Sequence, residues 1–252
     1  MGLPLFPKIG VYDLGEVPSP TSSKPHYLYV HEKRGESVWV GKCPDVCPDP
    51  YTVLKEYICC TLAKLLGLPI LDYCILKDGS RYWFAAPRIK PIDTFLERYF
   101  LQAENINSIP DVLAFNILVA NIDLHEDNIL LERISDDPLK HRIWIIDFSH
   151  ALYDETDRQG ALLPKNLSVY SCLLFDPANR IITGMEDFEP FLERLTLLSR
   201  EKIFEVVQSI PSELIRQNHD VNREELANYI VRRQQNLKDM LILAKGYFPN
   251  CH

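Results

Sequence analysis

Residues Asn121–Glu132 read NIDLHEDNILLE, and after a polar turn residues Ile143–His150 read IWIIDFSH. Asp123 and Asp147 each end an apolar run, and Asn128 follows Asp123 by five positions. The apolar runs Ile129–Ile134 and Ile143–Phe148, separated by the turn-forming Ser135-Asp136-Asp137-Pro138, predict a hairpin. In a hairpin the entry of one strand lies beside the exit of its partner. Asn128 and Asp147 are therefore expected at one end, with Asp123 a short loop away. Two carboxylates and one amide oxygen are hard donors, suited to Mg²⁺ or Mn²⁺ and not to zinc. Such a set can hold metal against a polyphosphate while one Asp orients and deprotonates an acceptor. Each residue alone has a plainer reading as a turn or strand-end residue. The three together, with a lysine and a glutamate in order upstream, point to phosphoryl transfer.

Upstream, residues 1–25 are rich in Pro, Ser and Gly and read as irregular. Strands are expected at His26–His31 and Ser37–Lys42, joined by a short turn containing Gly35. Before the first lies Thr21-Ser22-Ser23-Lys24-Pro25, whose hydroxyls, lysine and backbone amides could cover a phosphate chain or form a plain entry loop. Three prolines (Pro44, Pro48, Pro50) force a loop after Lys42, and a helix follows from Tyr51 to Leu66, closed by Gly67 and Pro69. On that helix Glu56 faces Cys59, Cys60 and Ala63, so its carboxylate is expected to be half-buried and to need a cation. Lys55 points to another face; Lys42 is the candidate partner. Strands Leu71–Leu76 and Tyr82–Ala86 flank a second hairpin turn.

Downstream the pattern turns helical: Asp93–Leu101, a helix started by Ser108 and Pro110 and running toward Asn121, and amphipathic stripes from Pro190 to the end. The fold class is α+β, with a small antiparallel-sheet unit carrying one helix (1–88) and a mainly helical unit (89–252).

Composition narrows the function. A net charge of −8 argues against nucleic acid as the main partner, since phosphate backbones need a basic face. The seven cysteines are odd in number and scattered, and Cys59 and Cys60 are adjacent, which suits a reduced, cytoplasmic protein better than a disulfide framework. Cys43 and Cys47 lack a second ligand pair at zinc spacing. No run is long and apolar enough to span a membrane, and the N-terminus has no signal-peptide pattern.

The segment Asn121–Asn128 resembles the Asn-x-Asp-x-His-x-x-Asn loop of HipA-like kinases, and is similar to the Asp-Arg-His-x-x-Asn loop of the phosphatidylinositol 3- and 4-kinase superfamily. Ile145–Leu152 resembles the metal-binding segment that follows in HipA-like kinases. Ser23–His26, Lys42, and Glu56 in a helix ending LAKLLGLP are similar to that family too. The resemblance implies a two-lobed protein-kinase-like fold with ATP in the cleft. It implies Asp123 as the catalytic Asp, with Asn128 and Asp147 holding Mg²⁺ (or Mn²⁺). Lys42 would contact ATP phosphates and Glu56 would fix its ammonium. Ser22 and Ser23 would lie in the loop over the phosphates, either one a candidate for autophosphorylation. His125 matches the loop histidine. The hinge against adenine would fall at Ala85–Ile89, with Ala86 and Ile89 at the base. The implied acceptor is a hydroxyl, most simply a protein Ser/Thr, and the family implies the possibility of a small regulatory partner. Leu124 follows the catalytic Asp where relatives often carry Arg or Asp, the phosphate loop has no glycine cluster, and Ser149 stands where many kinases have Gly. Two other readings are an aminoglycoside- or choline-kinase-like small-molecule kinase, which would carry His-Gly where this chain has Asn121-Ile122, and a nucleotide-binding regulatory pseudokinase.

Overall fold

Five antiparallel strands in the order β1-β2-β3-β5-β4 form the N-terminal sheet of this computed structural model, which describes residues 10–18, 23–32, 35–90, 97–136, 139–152, 176–217 and 219–251. The strands are β1 (Gly10–Glu16), β2 (His26–Glu32), β3 (Gly35–Lys42), β4 (Cys74–Asp78) and β5 (Arg81–Pro87). β1 corrects the expectation of irregular chain through residue 25. Its signal was masked by flanking prolines and serines, and by a bulge at Gly15, whose φ of +102° a side chain would resist. The bulge is closed by the Gly15 N–H donating to Asp13 Oδ1 at 2.8 Å.

The sheet curls. Asp13 of β1 lies 3.1 Å from Arg81 of β5, although two strands separate them in the sheet. Inside the curl Leu28, Val30, Leu76 and Trp83 form a small core of their own. On β2 the period-2 alternation turns Leu28 and Val30 inward and leaves Tyr27 and Tyr29 on the other face. α1 (Thr52–Leu65) packs against the sheet, its Tyr57 ring edge-on to Phe84 at 6.4 Å. α1 is buried nearly all round, including Lys55 and Glu56, so Glu56 is more deeply placed than the half-burial expected of it. The strand expected from Leu71 begins only at Cys74, because Ile70 bridges in parallel to Ile145 and carries the chain across to the other half.

The second half is helical around one hairpin. α2 (Glu97–Leu101) is the described part of the helix expected from Asp93. α3 (Ile109–Leu118) is apolar apart from Asp111 and Asn116, and every residue but Asp111 is buried. β6 (Ile129–Asp136) and β7 (Leu139–Ile145) pair antiparallel, with Ile129 opposite Ile145. α4 (Asp176–Asn179), α5 (Glu189–Thr196), α6 (Arg200–Gln208) and the 22-residue α7 (Arg223–Ala244) complete it. α6 buries the expected Ile203/Val206/Val207 stripe, whereas α5 buries Phe191 and Leu195 and leaves Leu192 half-buried, a stripe turned by one residue from the Leu192/Leu195/Leu198 expected from the sequence. No helix among the described residues is long and apolar enough to cross a membrane.

Candidate active site

Lys42, the last residue of β3, points at α1. Its ammonium lies 2.5 Å from Glu56 Oε1 and 2.8 Å from Asp147 Oδ1. All three groups are largely buried, with side-chain exposures of 12%, 5% and 20%. One cation thus answers two carboxylates. Burial alone would lower the Lys42 pKa, but the two carboxylates outweigh it and hold the pKa above the ordinary lysine range. Burial pushes the Glu56 carboxyl up to about 7 against the pull of Lys42. Burial also acts to raise Asp147, but the charge and hydrogen bond of Lys42, with donors from Ser149, hold it far below the usual carboxylate range. With only one ammonium to share, the more deeply buried carboxyl is the one that holds a proton more readily.

The hairpin does bring Asn128 beside this cluster. Ile129 pairs with Ile145, and the Ile146 N–H donates to the Asn128 carbonyl at 3.0 Å. β7 stops at Ile145 and not at Phe148 as expected, because that bond ends the ladder and Asp147 then turns to a φ of +62°. A non-glycine residue in this region stores backbone strain. Three contacts hold the turn: Asp147 Oδ1 accepts the Ser149 N–H at 3.0 Å, Glu56 Oε1 accepts the Phe148 N–H at 3.0 Å, and Lys42 holds the carboxylate.

Asp123 stands apart from the buried cluster, its side chain 44% exposed. Its loop is anchored from below. Asn121 is 1% exposed; its Nδ2 donates to Asn116 Oδ1 at 2.7 Å and its Oδ1 accepts the Asp123 N–H at 3.3 Å. The buried Asn128 turns its Nδ2 to the Asp123 carbonyl, which aims its amide oxygen the other way. His125 Nδ1 accepts the Asp127 N–H at 3.3 Å, so the neutral ring carries its proton on Nε2, 3.8 Å from Asp123 Oδ2. His150 Nε2 lies at the same 3.8 Å from that oxygen. Asp123 is therefore flanked by two imidazoles, of which the sequence singled out only His125.

The remaining expected positions fall around this cluster. Ser23 is buried, its Oγ 3.5 Å from Asp147 Oδ2 and its carbonyl accepting the Cys47 thiol at 3.2 Å. Burial pushes that thiol up to about 12, so it remains a donor. Ser22 lies outside the described residues. Ala86, half-buried on β5, pairs with Val40, and Ile89 follows in the connector, where the Arg88 N–H donates to Val38. Among the described residues no three His, Cys, Asp or Glu side chains gather closely enough to hold a metal alone. Sequence reasoning missed Lys55, which is buried and bonded to the Ser149 carbonyl at 3.1 Å. The apolar Ile58 and Cys59, three and four positions on, were the available signal.

No protein-family model matches the chain, and no curated protein matches it. Solved structures do. The Helicobacter pylori proinflammatory kinase CtkA superposes with a TM-score of 0.53 at 15% identity, over 85% of this chain and 92% of that one. The Shewanella oneidensis MR-1 toxin–antitoxin complex of HipA, HipB and operator DNA contains a chain that matches with a TM-score of 0.50 at 12% identity. That match covers 95% of this chain, which spans 65% of its counterpart. The likeness establishes the fold: a HipA-like form of the two-lobed protein-kinase-like fold.

Proposed function

We propose that the protein is an ATP-dependent phosphotransferase that moves the γ-phosphate of Mg-ATP to a hydroxyl, with a protein Ser/Thr as acceptor. The observation that carries this reading is the placement of the Lys42 ammonium between Glu56 and Asp147, at 2.5 and 2.8 Å. A lysine fixed by a helix glutamate, beside an Asp on the far side of a cleft, is the arrangement that phosphate binding in a kinase requires. Lys42 would engage the nucleotide phosphates, with Glu56 and Asp147 fixing its ammonium between them. Asp123, exposed and with its backbone pinned by Asn121 and Asn128, would orient an incoming hydroxyl and accept its proton.

The donor set fits a nucleotide-borne metal. Mg²⁺ takes one or two protein carboxylates and completes its shell from phosphates and water, so Asp147 and the Asn128 amide oxygen would suffice where the described residues hold no three-residue cluster. When bound, Mg²⁺ or Mn²⁺ would neutralise charge developing on the transferred phosphoryl group.

The test is label transfer from γ-labelled ATP with Mg²⁺ into proteins of a lysate. Asp123→Asn is expected to lower the rate by about 10²-fold or more, the usual contribution of a positioned general base. Because Asp123 is exposed, the variant should fold as the wild type does. Equal labelling by the variant would overturn the assignment of Asp123, and no labelling by the wild type would overturn the reading itself.

A further inference from the structure

Lys55 is a buried lysine, 7% exposed, that the proposed chemistry does not use. Lysine is rarely buried without a specific partner, because its ammonium loses its hydration. Here Nζ lies 2.9 Å from Asp49 Oδ2 and 3.1 Å from the Ser149 carbonyl oxygen. Asp49 supplies the counter-charge from the loop before α1, and Ser149 lies in the segment that carries Asp147. The neighbouring Glu56 reaches that same segment from the other side, accepting the Phe148 N–H at 3.0 Å. Two consecutive side chains of α1 therefore grip Phe148-Ser149 at the N–H that enters it and the C=O that leaves it. Asp147, held at a φ of +62°, is the residue immediately upstream of that grip. Without it, the strained turn is held only through the Asp147 side chain, by the Ser149 N–H and Lys42, and its backbone can relax toward an ordinary region, which would shift the carboxylate.

We propose that Lys55 is a positioning residue: together with Glu56 it fixes the Phe148-Ser149 segment and thereby sets the direction of the Asp147 carboxylate. Its effect on phosphate transfer rests on the function proposed above; its effect on the segment does not. Lys55 also walls a cavity of about 310 Å³ with Tyr51, Leu54, Leu152 and Tyr229. Shortening its side chain would enlarge a space that already exists, wide enough to admit a small alkylammonium ion.

Three variants test the assignment by hydrogen exchange of the backbone and by Mg²⁺ titration of label transfer. Lys55→Met, which keeps volume and loses charge, is expected to speed exchange of the Phe148 amide about tenfold or more, the loss associated with a bond to a charged group, while α3 and α7 stay protected. It should also raise the Mg²⁺ concentration needed for half-maximal transfer. Lys55→Arg should restore much of both, and n-propylammonium should restore transfer to Lys55→Ala while acetate does not. Wild-type exchange at Phe148 in Lys55→Met would overturn the proposal. So would a uniform rise in exchange across the whole chain with no amine rescue, which is the mark of a merely structural lysine. If the wild type transfers no phosphate, the function proposed above falls, and the exchange at Phe148 still decides the role of Lys55.

Discussion

The Lys42 ammonium lies 2.5 Å from the Glu56 carboxylate, and both groups are nearly sealed from water. Breaking a buried pair from one side leaves an uncompensated charge, which costs more than the pair contributes. Lys42→Met would leave Glu56 and Asp147 facing each other with no cation. It is expected to lower unfolding free energy by about 3 kcal/mol and to abolish transfer. Adding Glu56→Gln to the same chain should recover part of that stability, because it removes the stranded carboxylate, while transfer stays absent. Denaturant unfolding of the single and double variants measures this. A double variant less stable than Lys42→Met would show that the Glu56 charge is not what Lys42 neutralises.

Asp147 belongs to the same cluster but is less sealed, its side chain 20% exposed. If it holds Mg²⁺ against the nucleotide, Mg-ATP should stabilise the wild type by mass action, by about 2.7 kcal/mol at a hundred times Kd. Asp147→Asn keeps the shape of the side chain and the bond from Ser149. It is expected to lose the increment that Mg²⁺ adds over ATP alone. Thermal melting with ATP, with and without Mg²⁺, reads this directly, and an undiminished Mg²⁺ increment in the variant would remove Asp147 from the metal.

Closure of the N-terminal sheet should depend on pH through Asp13. Its carboxylate accepts from the Gly15 N–H at 2.8 Å, meets His26 Nδ1 at 2.8 Å and pairs with Arg81 at 3.1 Å. Burial acts to raise its pKa, but these three partners together hold it below the ordinary value of 3.8. In acid the unfolded chain therefore binds the proton first. The stabilisation is complete above pH 3.8 and is lost as pH falls through the lower folded value. Asp13→Asn should melt below the wild type at neutral pH, with the gap narrowing as pH drops under 3.8. A gap that stays constant across that window would show that Asp13 acts through packing alone.

Periodicity made much of this legible. The apolar α3, the stripe of α6, and the hairpin that sets Asn128 beside Asp147 all follow from spacing, while the α5 stripe lies one residue off the expected one. Lys42 and Glu56 were readable because a carboxylate on an apolar helix stripe demands a cation. What spacing could not carry was closure in three dimensions. β1 is an edge strand whose inward Asp13 is satisfied by residues 13 and 68 positions away, His26 and Arg81, so locally it looked like polar loop. Asn121 distinguished kinase families as a letter in a motif; its physical work is to tie α3 to the Asp123 N–H through Asn116. The bond of Lys55 to Ser149 and the approach of His150 to Asp123 arise through the left-handed turn at Asp147, which no local pattern of Ile145–His150 announced.

The Asp123 loop is supported from the far side by Arg233 of α7, a guanidinium 1% exposed. Its Nε donates to the Leu118 carbonyl at 2.9 Å and its Nη2 to the Ile117 carbonyl at 2.6 Å. These are among the last carbonyls of α3, where Ile117 also accepts the Ala120 N–H at 3.2 Å, and a cation at a helix C-terminus meets the negative end of its dipole. Two residues on, Ala120 adopts a φ of +49° and delivers Asn121 to its bond with Asn116. Arg233→Met would fill the space and leave both carbonyls buried without that donor. Hydrogen bonds to a charged group contribute about 1.5–3 kcal/mol, so a loss of about 3 kcal/mol is expected by denaturant unfolding. Transfer should fall as well, but less than in Asp123→Asn, because the reacting groups remain. Lys offers one donor site in place of a fork and should restore part of the stability only. A Met variant as stable as the wild type would mean that α3 holds its C-terminus, and with it the Asp123 loop, without help from α7.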